Sequence, residues 1–311
     1  MRLYVYPVIE DLPLTAISLD HGEEVMAQVP EDRSDGTRRH VAQVLRRVLK
    51  LAAYPGRHIA ASPIPSGWLP SARSTKAKEC LYPSEDRALL ACREVPMLRR
   101  LAYGFLSREG MRTDEMASLQ WKDLDLVHGR VDLPKNKTDD PRDWDLDPGV
   151  FEALRLWKKR FAPHATADER VFAMHGVPIN VDHLSDQLKM DLKRTGVVRS
   201  QLFERSEVRI PLRAHDLRAT FVTVSLAIGM NETWISDRTG HRSSGQIQAY
   251  RRKARTWSGM KLGALDPMAL AIPELTAQTS EHPRGIAPEL PQGHTARVAK
   301  LADAADLGSA E

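Results

Sequence analysis

His215-Asp216-Leu217-Arg218, followed by Gly240-His241 and then by Tyr250, is the stretch on which the reading of this chain turns. Residues three apart on a helix share a face, so His215 and Arg218 point the same way if the segment is helical. Leu217, Phe221, Val224 and Ile228 recur at helical spacing and are expected to hold another face of that helix, Ala214–Ile228, in a core. His241 follows His215 by 26 residues and Tyr250 follows His241 by nine. Further helices are predicted near Glu232–Arg238 and Ser244–Arg255.

Upstream, Gly110-Met111-Arg112-Thr113-Asp114-Glu115 ends one helix and starts another. Gly110 is a C-terminal stop for a helix that Pro96 opens, with Leu98, Leu101, Ala102 and Phe105 on its apolar face. Thr113 is a candidate cap for the next helix, with Asp114 and Glu115 in its acid-favouring first turn. Ser84 is a candidate cap for a helix running to Cys92. The pattern then changes to period two. Val131 and Leu133 alternate with polar residues, as do Trp144 and Leu146 after the polar run KNKTDDPRD, which predicts a β-hairpin with a charged loop. Lys135 and Lys137 sit in that loop. Asp147-Pro148 opens a helix with Val150, Leu154 and Trp157 on one face, and another is predicted over Val181–Arg194. Trp121, Trp144, Trp157 and Trp234 read as core.

The four pieces, an arginine in a G-x-R-x-x-E turn, a hairpin lysine, H-x-x-R, and G-H with a late tyrosine, occur in the order found in the tyrosine recombinases, the phage-integrase type. Residues 80–260 resemble the catalytic domain of that family. The resemblance implies a mainly α fold with a small β-hairpin or sheet (α+β), and site-specific DNA recombination, integrating or excising a mobile element through a 3′-phosphotyrosine. It implies Arg112, Lys137, His215, Arg218, His241 and Tyr250 as the catalytic set, with Lys135 as the rival to Lys137 for the proton-donating lysine and Glu115 as an orienting carboxylate.

The chemistry suits those residue types. A phosphodiester gains negative charge on its oxygens during transfer, and guanidinium groups are permanent, bidentate partners for such oxygens. Pre-set cations where charge develops are usually the largest catalytic contribution. A tyrosine hydroxyl, with an ordinary pKa of ~10, needs a base and a positive field to act as nucleophile. His215 is expected to take the proton, His241 to donate to the phosphate, and the hairpin lysine to protonate the leaving 5′ hydroxyl. No metal or other cofactor is required by this scheme. The same residues leave three alternatives open: a type IB topoisomerase-like cut-and-reseal enzyme, a recombinase-like DNA-binding protein without activity, and a metal nuclease built on the histidines.

Of the 311 residues, 45 are Lys or Arg and 41 Asp or Glu, a net charge of +4. The charge is unevenly placed. From Arg238 to Leu265 there is no acidic residue, while Arg242, Arg251, Arg252, Lys253, Arg255 and Lys261 fall in that interval. Such a basic run beside candidate chemistry suits an anionic partner.

Residues 1–75 read as a small helical unit similar to the family's core-binding domain. Ser34, Asp35 and Gly36 precede a helix with Val41, Val44, Leu45, Val48, Leu49 and Ala52 on one side and Arg38, Arg39, Arg46, Arg47 and Lys50 on the other. Arg38, Arg39, Arg46, Arg242, Arg251 and Arg252 are the expected DNA contacts. Ser62–Ser74, rich in proline and serine, reads as a linker, and residues 266–311 as a flexible tail. Double-stranded DNA is the expected partner, with self-association into a tetramer implied by the resemblance.

Two cysteines, Cys80 and Cys92, are too few for a disulfide framework. The N-terminal run MRLYVYPVIEDLPL is too short and acidic for a signal peptide, and no stretch approaches the ~18 apolar residues of a membrane span. A cytoplasmic setting is the expectation.

Overall fold

The computed structural model describes residues 1–70, 78–134, 141–206, 209–241 and 243–277. Lys135, Lys137 and Arg242 lie outside these described residues, as does the tail from residue 278.

The N-terminal unit contains α1 (Tyr6–Ile9), α2 (Leu19–Ala27) and α3 (Asp35–Ala53). Ser34 caps α3 by accepting a hydrogen bond from the Thr37 amide at 3.2 Å, which satisfies one of the orphan donors at a helix start. Leu45 and Leu49 of α3 join Val5, Ile17, Val25 and Ile64 in a core of their own. Ile64 was expected in a linker. It is instead fully packed, with Trp68 against the same cluster, so the linker expected over Ser62–Ser74 is corrected for its first half: these apolar side chains close the base of the small unit.

The second unit begins with α4 (Pro83–Ala91), α5 (Met97–Glu109) and α6 (Thr113–Ser118). The caps differ from the expected Ser84 and Thr113. Tyr82 and Arg112 hold the extended cap positions, and Glu85 and Glu115 reach back to accept their amides at 2.8 and 3.0 Å. Each glutamate thereby satisfies the cap amide that Ser84, two residues after Tyr82, or Thr113, one after Arg112, does not reach. Helix α5 ends at Gly110, which adopts a left-handed φ of +65°.

A three-stranded antiparallel sheet follows, β1 (Leu124–Asp125), β2 (Arg130–Leu133) and β3 (Arg142–Asp145), with Val131 opposite Trp144 and Leu133 opposite Arg142. Then come α7 (Pro148–Phe161), a two-stranded ribbon of β4 (Ala173–Met174) and β5 (Val177–Pro178), α8 (Leu184–Arg194), α9 (Leu217–Ala227), α10 (Glu232–Thr239) and α11 (Ser244–Gly259).

Two helices form the spine of this unit. All residues from Arg100 to Glu109 in α5 and from Leu217 to Ser225 in α9 are buried. A helix buried on every side lies inside a domain rather than on its surface. The two-faced helix expected over Ala214–Ile228 is therefore corrected: α9 is enclosed by α5, α10 and α11, and Ile228, expected in the core, is exposed at its end.

The chain after Asp266 departs from the flexible tail expected there. α12 (Met268–Ala271) and α13 (Pro273–Thr276) pack on α7, with Met268, Ala269, Ala271, Ile272 and Leu275 in the main core. Glu274 forms a two-bond ion pair with the buried Arg100, at 2.9 and 2.6 Å. Prolines suggested disorder, but Pro267 and Pro273 sit at helix starts, where a missing N–H costs nothing.

No helix among the described residues is long and apolar enough to cross a membrane.

Candidate active site

Arg112 sits where α5 gives way to α6, and its position follows from Gly110. The left-handed turn brings Gly110 so close to Phe221 of α9 that a Cβ would lie 2.2 Å from the ring. The Gly110 carbonyl accepts a hydrogen bond from Arg218 Nη1 at 2.8 Å. The turn carrying one arginine is thus joined to the helix carrying the other. Arg112 bonds through Nη1 to the Glu115 carboxylate, which also takes the Arg112 amide.

Arg218 is buried. Its burial, and then the neighbouring Arg112 and Arg142, push its pKa down to about 10, against the opposing effect of Glu115. It remains cationic at neutral pH, and a cation crowded in this way gains from an anion placed beside it. Burial works to raise the Glu115 carboxyl, but Arg142 and Arg112 outweigh it and hold the pKa below the usual value.

His215 lies on a one-turn 3₁₀ segment, Ala214–Asp216, rather than within the α-helix expected from the i,i+3 spacing. The buried Asp216 pins that turn by accepting from the Arg213 amide and guanidinium, at 3.0 to 3.1 Å. The His215 ring is open to solvent on one side, and with Arg112, Thr113, Asp114 and Ser185 it lines a cavity of about 670 Å³. Enclosure by the surrounding protein, followed by Arg218 and Lys78, lowers its pKa.

His241 follows Gly240, the left-handed cap of α10 at φ +64°. Its Nδ1 is 2.8 Å from Thr239 Oγ1, and that hydroxyl donates to the Ile235 carbonyl at 2.6 Å. With the hydroxyl proton committed, Thr239 accepts from His241, which fixes the Nδ1–H tautomer and leaves Nε2 without the proton. Burial, then Arg218 and Arg112, lower the His241 pKa to about 4.

Tyr250 projects from α11 with its ring centroid 6.4 Å from that of His241. Both line a cavity of about 830 Å³ together with Lys78, Arg252, Lys253 and Trp257. Ile247 holds α11 in a core with Phe221, Val222 and Ile235, so the tyrosine is presented by the helix packed on α9. Five separated pieces of sequence are therefore coupled electrostatically through the buried Arg218, around two neighbouring cavities: the α6 start, the Ala214–Asp216 turn, α9, the end of α10, and α11.

Among the expected DNA contacts, Arg252 lines the Tyr250 cavity and Arg46 has no polar partner among the described residues. Arg38 donates to the Val29 carbonyl at 2.7 Å, Arg39 bonds the Pro70 carbonyl, and Arg251 bonds Glu232. These last three are engaged within the protein.

Two cations at the site were not singled out from sequence. Lys78 acts on both histidines and lines the tyrosine cavity, and nothing in its local pattern marks it. Arg142 reaches Glu115. Its signal was present, because it shares strand parity with the buried Trp144. No group of three or more His, Cys, Asp or Glu side chains able to hold a metal occurs among the described residues.

The fold is a helical α+β domain whose cleft collects arginines, histidines and a tyrosine suited to holding and attacking a phosphodiester. The chain belongs to the phage integrase family, which matches residues 80–256. It is 26% identical over 184 residues to the tyrosine recombinase XerA of Saccharolobus solfataricus, covering 58% of this chain and 54% of that protein. It is 25% identical over 150 residues to the ICEBs1 integrase of Bacillus subtilis, covering 43% of this chain and 39% of that one. The chain thus spans about half or less of the length of these curated relatives. Its fold is similar to that of a lambda integrase (75–356) dimer bound to a COC′ core site, with a TM-score of 0.60, 17% identity and coverage of 80% and 84% of the two chains. It is also similar to the Tn1549 transposon integrase in complex with a circular intermediate DNA, with a TM-score of 0.59, 18% identity and coverage of 83% and 91%.

Proposed function

We propose that this protein is a tyrosine-type site-specific DNA recombinase that integrates or excises a mobile element. The observation that supports the reading is the electrostatic coupling of the buried Arg218 to Arg112, His215, His241 and Tyr250, which line two neighbouring cavities. In the proposed reaction Arg112 and Arg218 clamp the scissile phosphate. The Tyr250 hydroxyl attacks phosphorus, giving its proton to His215. The bond to the 5′ oxygen breaks, and the leaving oxygen takes a proton from Lys137 or Lys135. The freed 5′ hydroxyl of a partner duplex then attacks the phosphotyrosine, and tyrosine leaves. No bond energy is lost, so no nucleotide cofactor is consumed.

His241 acts at Nε2, because Nδ1–H is committed to Thr239. A phosphate in the cleft raises the pKa of that ring and so favours a protonated Nε2 that donates to it.

Residues 1–75 and the catalytic unit would clamp the duplex between them, mainly through phosphate contacts. Among the structural neighbours, lambda integrase has been solved as a tetramer on a Holliday junction. Assembly of this chain into a tetramer on paired sites, in the cytoplasm, is the corresponding proposal.

The test uses duplex fragments flanking the gene in its source genome, nicked beside candidate cleavage positions so that the cut product diffuses away. A denaturant-resistant protein–DNA adduct is expected in EDTA from the wild type and not from Tyr250→Phe. An adduct that survives the Tyr250→Phe change, or that requires a divalent metal, overturns the mechanism. Joining of two different duplexes separates a recombinase from a cut-and-reseal enzyme.

A further inference from the structure

Strand β3 places an arginine where the strand pattern calls for an apolar residue. Arg142 and Trp144 share the inward face of the sheet, opposite Leu133 and Val131, and both are buried. Burying a guanidinium is costly unless its charge is matched. A leucine here would fill the space without that desolvation. The charge is therefore explained by what it holds.

It holds two things. On one side Nη2 lies 2.8 Å from Glu115 Oε2. Neither Nη2 nor Nε makes a well-directed hydrogen bond among the described residues, so the hold on Glu115 is ionic. The same carboxylate takes the Arg112 amide and guanidinium. On the other side Nη1 donates to the Arg238 carbonyl at 2.6 Å. The flat guanidinium lies against Gly240, where an added Cβ would come 3.1 to 3.2 Å from Nη1, Cζ and Nε. Gly240 thus meets two demands, a left-handed backbone and close approach of Arg142. The next residue is His241.

We infer that Arg142 is a positioning residue of the cleavage site, setting Arg112 through Glu115 and His241 through the Arg238–Gly240 turn. The inference rests on the reading that Tyr250 cleaves DNA at this cleft. Arg142 works through its neighbours and not on the phosphodiester, because its charged end is occupied by Glu115 and the Arg238 carbonyl. One guanidinium on β3 thereby registers two catalytic groups that lie 129 residues apart in sequence (241 less 112).

The test uses the full chain with Arg142→Gln, Arg142→Lys, Glu115→Gln and the Arg142→Gln/Glu115→Gln pair, each checked for an unchanged melting profile. On the nicked duplex at saturating protein, Arg142→Gln is expected to slow adduct formation about a hundredfold, the cost of a small misplacement of reacting groups. DNA affinity should stay within about twofold. The double variant should be no slower than about threefold below the worse single, since the residues act as one unit. Arg142→Lys should recover part of the rate, because it keeps the charge beside Glu115. A second arm needs no DNA. Imidazole nitrogen shifts of His241 should report the Nδ1–H form in the wild type and a mixture with Nε2–H in Arg142→Gln. Additive costs, or an unchanged His241 tautomer, overturn the inference. If the wild type forms no adduct, the recombinase reading falls while the tautomer arm still decides the role of Arg142.

Discussion

Arg218 Nη1 donates to the carbonyl oxygen of Gly110 at 2.8 Å, joining residues 108 positions apart. That bond ties the turn that presents Arg112 to the helix that presents Arg218. It exists because Gly110 takes a left-handed φ and lets the Phe221 ring press against its α-carbon.

Gly110→Ala tests this turn. A side chain meets both an unfavourable φ and the Phe221 ring, so unfolding in urea should show a loss of about 2–4 kcal/mol. Phe221→Leu in the same background should return part of that loss. A melt matching the wild type would mean the turn relaxes freely.

In the proposed reaction, Arg218→Ala removes a pre-set cation where charge develops. Adduct formation should fall about a hundredfold to a thousandfold. Arg218→Lys should recover only a small part, because an ammonium cannot reproduce the planar fork that holds Gly110 and faces the cleft. Single-turnover cleavage measures both, and a lysine variant at wild-type rate would show that charge alone suffices.

Proton uptake on binding follows from the two histidines. Both have lowered pKa values in the free protein, His241 at about 4, so both are neutral at pH 7. The unfolded chain, with ordinary histidines near ~6.5, binds more protons between about pH 4 and 6.5, and stability should rise with pH across that window. An anion in the cleft opposes the shift. DNA or sulfate should therefore bind with uptake of protons between about pH 4 and 6.5 and with none at pH 8. Calorimetry in buffers of different ionisation enthalpy reads this directly, and His241→Asn should reduce it.

Glu274→Gln tests the docking of the segment 267–277. Arg100 is almost fully enclosed, and its two bonds to Glu274 match its charge. Loss of the carboxylate should cost about 1–3 kcal/mol, seen as a lower urea midpoint. If residues 267–277 were a free tail, neither this change nor their removal would alter stability.

Much of this was legible in the sequence. Helical periodicity, Gly110 as a stop, the Asp147-Pro148 start and the switch to period two around Val131 are local signals, each governed by backbone sterics or side-chain spacing within a few residues. The residues proposed as catalytic were picked out by their order and two fixed intervals, and the structure brings Arg112, His215, Arg218, His241 and Tyr250 into mutual electrostatic reach. What failed was non-local. Ile64 and Trp68 looked like linker because proline and serine dominate their neighbourhood, yet their apolar area is taken up by α3 and its neighbours. Residues 266–277 looked like tail for the same reason.

By itself, then, the sequence determined the chemistry available to this protein: arginines for an anion, histidines for a proton, and a tyrosine at the required spacing on a helix. Only the tertiary structure decided which of these meet, and on what supports. The Nδ1–H form of His241 depends on where the Thr239 hydroxyl points. The exposure of His215 depends on a 3₁₀ turn pinned by the buried Asp216. Arg142 lies between Glu115 and Gly240 because an antiparallel register places it on the inward face opposite Leu133. Spacing along a chain records which residues can share an element. Contact between elements is set by packing, which no single segment encodes.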